Sequence, residues 1–215
     1  MKSVAGRPTR EQAEARHAAL LDTALDMFLD SGFERTTIDA IAAALGMTKR
    51  TVYARYTDKA ALFRACVERA IERYTIPFDQ FRAADTGDLA ATLTTVAHLR
   101  IAKIMSPEGL RMQRILNAEA PRFPEIFDRF YEKAARPTVD FLAELLRREV
   151  NAGGVATEDP DRAALAFMSM VVGAPARIIV AGSAIAPAEL EERIRFSVRL
   201  FLNGVRPRTG EDDSN

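Results

Sequence analysis

The sequence predicts an all-α protein, in which an N-terminal three-helix domain precedes a larger helical domain. Apolar residues recur at helical spacing along most of the 215 residues. The strict alternation of apolar and polar residues that indicates β-strands is missing. An apolar share of 48% is enough for a sizeable core.

Composition limits the classes of function. The 30 basic and 30 acidic residues give a formal net charge of zero, so any affinity for nucleic acid must come from local basic clusters. The single cysteine, Cys66, excludes an intramolecular disulfide and a cysteine zinc site. The polar N-terminus does not resemble a signal peptide, and Gly173 and Pro175 interrupt the most apolar run, residues 163–186. We therefore expect a cytoplasmic protein without a membrane helix.

Local signals mark the first helices. Thr9 and Gln12 fit a capping box at the start of a first helix that Gly32 ends. Asp58 is expected to cap a fourth helix, which runs to about Tyr74 and connects the two domains.

Residues 36–59 predict two short helices joined by a tight turn. Gly46 allows the chain to leave the first of them in a left-handed conformation, and Thr48 can cap a second helix that runs to about Tyr56. This arrangement is typical of proteins that insert the second helix into the major groove of DNA. The alternative is an ordinary helical corner with a solvated basic face.

The second of these helices has two different faces. Val52 and Tyr56 are four residues apart and can pack inward. Lys49 and Arg50 then lie outside, where they can donate to guanine acceptors or phosphates, while Thr51 is small enough for close approach. We interpret this segment as a recognition helix.

The stretch from Gly46 to Phe63, GMTKRTVYARYTDKAALF, resembles the signature of TetR-type transcriptional regulators. The preceding segment TTIDAIA fits the same pattern, and the resemblance covers residues 9–65. Arg50, Ala54 and Arg55 depart from the usual residues, so the bases that are contacted are specific to this chain. The residues expected to contact DNA are Arg7, Thr37, Thr48, Lys49, Arg50, Thr51, Tyr53, Arg55, Tyr56 and Lys59.

The resemblance also implies the domain plan. The helix-turn-helix domain is placed at residues 9–57, and a helical effector-binding and dimerisation domain at residues 58–205. Residues 1–8 and 206–215 are expected to be flexible ends. Within the arm at the N-terminus, Arg7 either belongs to a frayed segment or reaches the minor groove or a phosphate.

The larger domain contains several helix boundaries. Residues 79–88 are expected to form a polar loop, and Ser106 to cap a helix with Pro107 in its first turn. Pro137 lies inside a long helical pattern and predicts a kink or a break there, and Pro175 should bend the apolar helix that contains it.

No catalytic or metal-binding constellation is visible. His17 and His98 are isolated, and Gly153-Gly154 ends a helix instead of starting one, unlike a phosphate-binding loop. We expect no enzyme activity, no metal and no cofactor. An all-helical enzyme and an architectural DNA-binding protein are the alternatives.

The resemblance, and not the residues alone, implies a small-molecule pocket within residues 75–175. Soft and aromatic side chains there suit a hydrophobic effector, although such stripes more often form plain core. Two arginines are candidate partners of an anionic group, Arg100 and Arg177. The expected effector-binding residues are Arg100, Met105, Met112, Phe123, Phe127, Phe167, Met168 and Arg177.

A single recognition helix contacts too few base pairs for selective affinity, so we expect a homodimer that spans two half-sites of a double-stranded operator. The last two helices are more apolar than a monomer can leave exposed. The alternative is that they only cover the middle helices. The expected interface residues are Val172, Ile179, Leu190, Ile194, Val198 and Phe201. The combined prediction is a repressor that an effector releases from DNA, although the sequence does not distinguish repression from activation.

Overall fold

The structure, a computed structural model, describes residues 9–183 and 185–206, without the side chains of residues 174, 179 and 180. These ranges form eleven α-helices and one π-helical segment, and they contain no β-strand. The elements are α1 (Arg10–Ser31), α2 (Ile38–Ala44), α3 (Lys49–Tyr53), α4 (Lys59–Tyr74), α5 (Phe78–Ala84), α6 (Leu89–Met105), α7 (Pro107–Glu119), α8 (Glu125–Phe130), the π segment (Tyr131–Ala135), α9 (Arg136–Asn151), α10 (Pro160–Val180) and α11 (Pro187–Val205). The all-α prediction is confirmed.

The ends of the first and fourth helices follow the local signals of the sequence. The Gln12 amide donates to Thr9 Oγ1 at 3.2 Å, and the Thr9 amide donates to Gln12 Oε1 at 3.1 Å. Gly32 ends α1 with φ of 80°, a conformation that strains other residues. Asp58 caps α4 by accepting from the Ala61 amide at 2.7 Å. The predicted caps are therefore confirmed.

Aromatic rings join the N-terminal helices to the rest of the chain. The ring centroid of Phe33 lies 5.6 Å from that of Phe28, 5.4 Å from that of Phe63 and 5.0 Å from that of Phe123. Phe63 lies on α4 and Phe123 follows α7, so this first core extends across the boundary predicted after residue 57. The domain boundary after residue 57 therefore stays a prediction.

A second core fills the other half of the molecule. It is formed by α5, α6, α9, α10 and α11, and Phe167 of α10 packs against Phe201 of α11 with ring centroids 5.1 Å apart. Helix α6 belongs to both cores, because Ile101 is buried in the second and Ile104 in the first. Movement of α6 would therefore change the packing of both cores.

The segment predicted as a loop at residues 79–88 contains a helix instead. Helix α5 buries Phe81 and Ala84, which are three residues apart and share a face. Its other residues are mostly polar, so the sequence of this segment is typical of a loop.

The two prolines inside predicted helices behave differently. Pro137 lies in the first turn of α9, directly after the π segment, so the hydrogen-bonding pattern of the helical run changes there. The run is continuous through this point, and the kink stays a prediction. Pro175 lies inside α10, which is one continuous helix from Pro160 to Val180.

Helices α6 and α7 meet at a tight corner. Ser106 caps α7 by accepting from the Gly109 amide at 3.1 Å, and Pro107 occupies the first turn, as predicted. A Cβ on Gly109 would lie 2.1 Å from the carbonyl oxygen of Lys103 and 2.3 Å from that of Ile104. Only glycine fits at this position.

Two further features concern the chemistry of the fold. Cys66 is buried in the first core, and burial, followed by the nearby charge of Asp22, raises the pKa of its thiol to about 12. None of the helices in the described ranges is long and apolar enough to cross a membrane.

Candidate functional site

Backbone hydrogen bonds close the turn between α2 and α3. The amides of Leu45 and Met47 donate to the Ala42 carbonyl at 3.2 and 2.8 Å, and the Gly46 amide donates to the Ala43 carbonyl at 3.1 Å. Gly46 has φ of 61°, in the left-handed region that favours glycine. The turn therefore sets the direction of α3 relative to α2.

Helix α3 is shorter than predicted, since it ends at Tyr53. Thr48 caps it by accepting from the Thr51 amide at 3.2 Å. Tyr56 lies beyond the helix, in a turn where its amide donates to the Val52 carbonyl at 3.0 Å. Val52 itself is completely buried, so it anchors α3 against the first core.

Because Val52 faces inward, the polar residues around it face solvent. Lys49, Arg50 and Arg55 are exposed, and Tyr53 has an exposed fraction of 44%. A large exposed aromatic ring beside three cations is suited to a phosphate-bearing surface. We refer to this exposed side of α3 as the recognition face.

Lys49 is held in place by α2. Its Nζ lies 2.8 Å from Asp39 Oδ2, and this hydrogen bond raises the pKa of the Lys49 ammonium. Both side chains are largely exposed, so the pair adds little to stability. It does keep Nζ 5.9 Å from the centre of the Tyr53 ring. A DNA phosphate would compete with Asp39 for the same ammonium.

The threonines of the site hold helix ends and still offer protons. Thr37 Oγ1 accepts from the Ala40 amide at 3.1 Å, which leaves its hydroxyl proton free to be donated. Thr48 Oγ1 and Thr51 Oγ1 are 2.8 Å apart, so one of these two hydroxyls donates to the other and one retains its proton. All three threonines are exposed.

Tyr56 ties the segment after α3 to α1. Its hydroxyl lies 2.6 Å from His17 Nε2. Burial, followed by the charges of Arg55 and Arg69, lowers the pKa of His17, and burial raises the pKa of Tyr56. His17 is partly buried, and its partner lies 39 residues away in the sequence.

Lys59 holds the segment between α1 and α2 through hydrogen bonds to its backbone. Its Nζ donates to the carbonyl oxygens of Phe33, Glu34 and Thr36 at 2.7, 3.1 and 3.0 Å, and it lies 4.4 Å from the centre of the Phe33 ring. An ammonium carries three protons, and all three have acceptors here. This placement corrects the prediction that Lys59 is available to DNA.

Sequence reasoning missed one basic residue near the recognition face. A groove of about 330 Å³ separates α1 from α3, and its lining includes Arg16, Thr48 and Arg55. Arg16 is exposed on α1, more than thirty residues before α3, and only the packing of the two helices brings it to this surface. Arg7 lies outside the described residues.

The predicted effector residues are distributed over both cores and the surface of the described residues. Their positions are as follows: Met112 and Phe123 lie in the first core, Phe167 and Met168 in the second core, Arg100 is buried on α6, and Met105, Phe127 and Arg177 are exposed. Phe123 packs between the rings of Phe33 and Phe63, with centroid distances of 5.0 and 5.1 Å. The structure therefore places four of these eight residues in the hydrophobic cores.

The structure also corrects the predicted dimer seam. Three of the predicted residues are buried in the protomer's own second core, namely Ile194, Val198 and Phe201. Val172 and Leu190 are partly buried against that core, and the side chain of Ile179 lies outside the described residues.

The outward side of α10 and α11 carries large apolar residues of its own. Phe196 and Leu200 lie four residues apart on α11, with exposed fractions of 56% and 53%, and Leu165 of α10 is exposed to 44%. We refer to these three residues as the outer apolar face.

Two family models match this sequence. The model for bacterial regulatory proteins of the tetR family matches residues 20–66, which include α2 and α3. The model for the C-terminal domain of AefR-like transcriptional repressors matches residues 91–204, more than half of the chain. The chain belongs to the TetR family. The resemblance inferred from Gly46 to Phe63 is thereby confirmed.

Curated relatives of this TetR-family chain are also regulators. It is 30% identical over 119 residues, or 55% of each chain, to the uncharacterised HTH-type regulator YdeS of Bacillus subtilis. It is 34% identical over 90 residues to the repressor TetR of Mycobacteroides abscessus, covering 41% of this chain and 45% of that protein. This chain therefore spans about half the length of these two relatives. The regulator RutR of Escherichia coli is 23% identical over 201 residues, covering 90% of this chain and 92% of RutR.

Solved structures have the same fold. A TetR-family regulator from Mesorhizobium loti superposes with a TM-score of 0.73 at 25% identity, covering 93% of this chain and all of that chain. The flavonoid-responsive regulator FrrA superposes with a TM-score of 0.69 at 29% identity, covering 91% of this chain and 99% of that chain.

Family membership settles the general class of function. The chain is a member of a family of DNA-binding transcriptional regulators. Within the part of the chain that the structure describes, no cluster of His, Cys, Asp and Glu is arranged to hold a metal ion.

Proposed function

We propose that this protein is a homodimeric, ligand-responsive repressor. It binds a palindromic operator through α3, and it leaves the operator when a small hydrophobic effector binds the larger helical domain. The recognition face carries this proposal, because Lys49, Arg50 and Tyr53 are exposed on a helix that buried Val52 holds in place. Exposed donors on a fixed helix are what direct contacts in the major groove require.

The residues on and around the recognition face would contact different parts of the DNA. Arg50 and Arg55 depart from the family pattern and are the candidates for base contacts, since a guanidinium can donate two hydrogen bonds to guanine. Lys49 and Tyr53, together with the hydroxyl of Thr37, would contact phosphates and set the register. Thr48 and Thr51 share one free hydroxyl proton, which can be donated to a phosphate. Tyr56 supports the face through His17, and Arg16 adds a cation at its edge.

The test needs an operator, which the purified protein can select from random DNA fragments. The double variant Lys49→Ala, Tyr53→Ala should bind the selected DNA at least tenfold more weakly, as measured by fluorescence anisotropy, because two contacts are lost. Arg162→Ala is the control, since Arg162 is exposed on α10, and it should bind like the wild type. Unchanged affinity in the double variant would contradict the proposal.

The same assay separates a repressor from an architectural protein. A specific regulator should bind its selected sequence about a thousandfold or more tighter than random DNA. Similar affinities for both, with a steep salt dependence, would favour an architectural role.

The outer apolar face supports a homodimer. Phe196 and Leu200 are exposed one turn apart on α11, and Leu165 is exposed on α10. A groove of about 330 Å³ beside Phe196 is lined in part by Met170 and Pro175. Because a two-fold dimer uses one surface twice, α10 and α11 of two protomers would pack as a four-helix arrangement. This face replaces the inward residues that the sequence favoured.

A route for the effector signal runs from α8 and the π segment to α4. Arg129 and Lys133 both pair with Glu68 of α4, and Arg64 of α4 lies 2.9 Å from Glu125. Since α4 also packs against α1, a shift of α8 and the π segment would be passed to the recognition helices. An effector acts in this way only if its affinity differs between the two arrangements.

A further inference from the structure

Arg100 of α6 is a buried charge without an acidic partner. The side chain is 3% exposed, and its Nη1 donates to the Ala134 carbonyl of the π segment at 3.1 Å. Its guanidinium carbon lies 5.6 Å from the centre of the Tyr74 ring. Within the described residues no carboxylate pairs with it, and its buried Nε has no hydrogen-bond partner.

This arrangement is costly for the fold. A guanidinium stays protonated in proteins, so burial cannot neutralise it. An unpaired charge inside a protein is strongly unfavourable, whereas an apolar side chain of similar size at the same place is usually tolerated. Stability alone therefore does not account for an arginine at this position.

A second unsatisfied polar atom lies one helical turn from the carbonyl that Arg100 contacts. Thr138 is fully buried, and its Oγ1 has no partner. A threonine in a helix commonly donates to the carbonyl four residues before it, which for Thr138 is that of Ala134. In this structure Arg100 donates to that oxygen instead. The carbonyl belongs to a π segment, a local geometry that is frequent at functional sites.

We propose that Arg100 is the anion-binding residue of the effector site, and that the effector is a small amphiphile with a carboxylate and an apolar body. This inference rests on the proposed function and names the chemical class of its ligand. The carboxylate accepts from Nε and a terminal nitrogen of Arg100 in the two-bond geometry that guanidinium groups favour. Thr138 can then donate to the Ala134 carbonyl, so each unsatisfied atom gains a partner.

The surroundings of Arg100 suit the apolar part of such a ligand. The rings of Tyr74 and Phe130 lie with centroids 5.4 Å apart, and Ile104 is buried one turn along α6. Arg177, the other arginine considered as an anion partner, is exposed on α10, where water already solvates its charge. Arg100 is therefore the site at which a carboxylate gains most.

The same position links the ligand to DNA binding. Tyr74 is the last residue of α4, and Lys103 Nζ donates to the Arg73 carbonyl at 2.7 Å, so α6 contacts the end of the connecting helix. A carboxylate that draws Arg100 away from Ala134 changes the contact between α6, the π segment and α4.

The test compares matched probes on the full chain. Octanoate, benzoate and 4-phenylbutyrate are each compared with the corresponding alcohol in thermal unfolding. At about a hundredfold excess over Kd, a bound carboxylate should raise Tm by about 5 °C or more in the wild type and in Arg177→Met. In Arg100→Met, acid and alcohol should give equal shifts. If that variant does not fold, Arg100→Gln replaces it, because glutamine is uncharged and its amide can donate hydrogen bonds.

Three results would overturn the proposal. They are the absence of a shift with all three carboxylates, an equal shift with the alcohols in the wild type, and an undiminished carboxylate shift in the uncharged variant. Operator binding of the wild type is measured separately, without ligand. If the wild type binds no selected DNA, the proposed function fails, while the thermal comparison still decides the role of Arg100.

Discussion

Arg73 of α4 donates two hydrogen bonds to Asp22 of α1, from Nη1 to Oδ1 at 2.8 Å and from Nη2 to Oδ2 at 3.0 Å. Arg69 adds a third at 3.2 Å, one turn earlier on α4. The planar guanidinium matches the two carboxylate oxygens, which fixes the relative rotation of the two helices.

The pairing continues along α1. Asp26 and Asp30 follow at intervals of four residues, so they share a side of the helix with Asp22. Asp26 lies 2.6 Å from Arg111 and Asp30 lies 3.3 Å from Arg114, both on α7. Helix α1 is thus held by the connecting helix and, independently, by a helix of the larger domain. In the proposed mechanism, a conformational change in the larger domain could therefore be passed to α1 through either α4 or α7.

Asp22→Asn should lower the free energy of unfolding by about 1 kcal/mol, because two arginines lose a charged acceptor that is only one-third exposed. Urea unfolding measures this difference. Glu14→Gln is the matched control, since its pair with Arg10 is almost fully exposed and should contribute nothing measurable. Equal losses in the two variants would argue against a structural role for the Asp22 pair.

Phe196→Glu should convert the proposed dimer to a monomer of 23.7 kDa, because a buried, unpaired carboxylate at the proposed interface is strongly unfavourable. Light scattering after size-exclusion chromatography measures the mass. Leu110→Glu changes a similarly exposed leucine on α7 and should leave the dimer intact. A dimeric Phe196→Glu protein would move the interface away from the outer apolar face.

The free energy of unfolding should decrease at acidic pH, because His17 binds a proton less readily in the folded protein. Burial is the main cause that lowers its pKa in the fold, followed by Arg55 and Arg69, so the unfolded chain binds the proton more readily. The stabilisation is complete above the ordinary histidine pKa of about 6.5. It is lost as the pH decreases through that value toward the lowered pKa.

Urea unfolding at pH 7.5 and pH 5.5 measures this dependence. His17→Gln should show a smaller difference between the two pH values than the wild type. The protein has one other histidine, His98, which lies 2.7 Å from Glu191 on the surface. His98→Gln should therefore keep the acid-side loss, and a loss that survives in His17→Gln would assign it to other groups.

Gly109→Ala should destabilise the protein by about 2–4 kcal/mol, because the new Cβ overlaps backbone carbonyls that cannot move without disturbing the end of α6. Gly204→Ala is the matched control. It lies in α11 with no atom within 4 Å of the added Cβ, and it should stay within about 1 kcal/mol of the wild type. Chemical denaturation of both variants decides whether the α6–α7 corner is as rigid as its geometry indicates.

Sequence reasoning succeeded where the signal is local. The caps at Thr9, Thr48 and Asp58 and the turn at Gly46 depend on residues within three or four positions, so the pattern contains all the information. The same reasoning did not predict helix α5, because its apolar face packs partly on Phe141 of α9, about sixty residues later in the chain.

The functional surfaces were harder to predict, since they depend on which side of a helix the rest of the chain covers. Helix α11 has apolar residues on both sides, and the spacing of Ile194 and Val198 is no different in kind from that of Phe196 and Leu200. Only the packed structure separates the core side from the exposed side. Lys59 was misassigned for a similar reason, because its carbonyl acceptors lie more than twenty residues earlier in the chain.

Labelling of Cys66 can measure the movement of helices that the proposed mechanism requires. It is the only thiol in the chain, it lies on α4, and it is close enough to Asp22 of α1 for that carboxylate to affect its pKa. A buried thiol with a pKa of about 12 reacts with a maleimide only while the first core is transiently open. The rate at which maleimide labels the wild-type protein therefore measures how readily the first core opens. This rate can be compared with and without DNA.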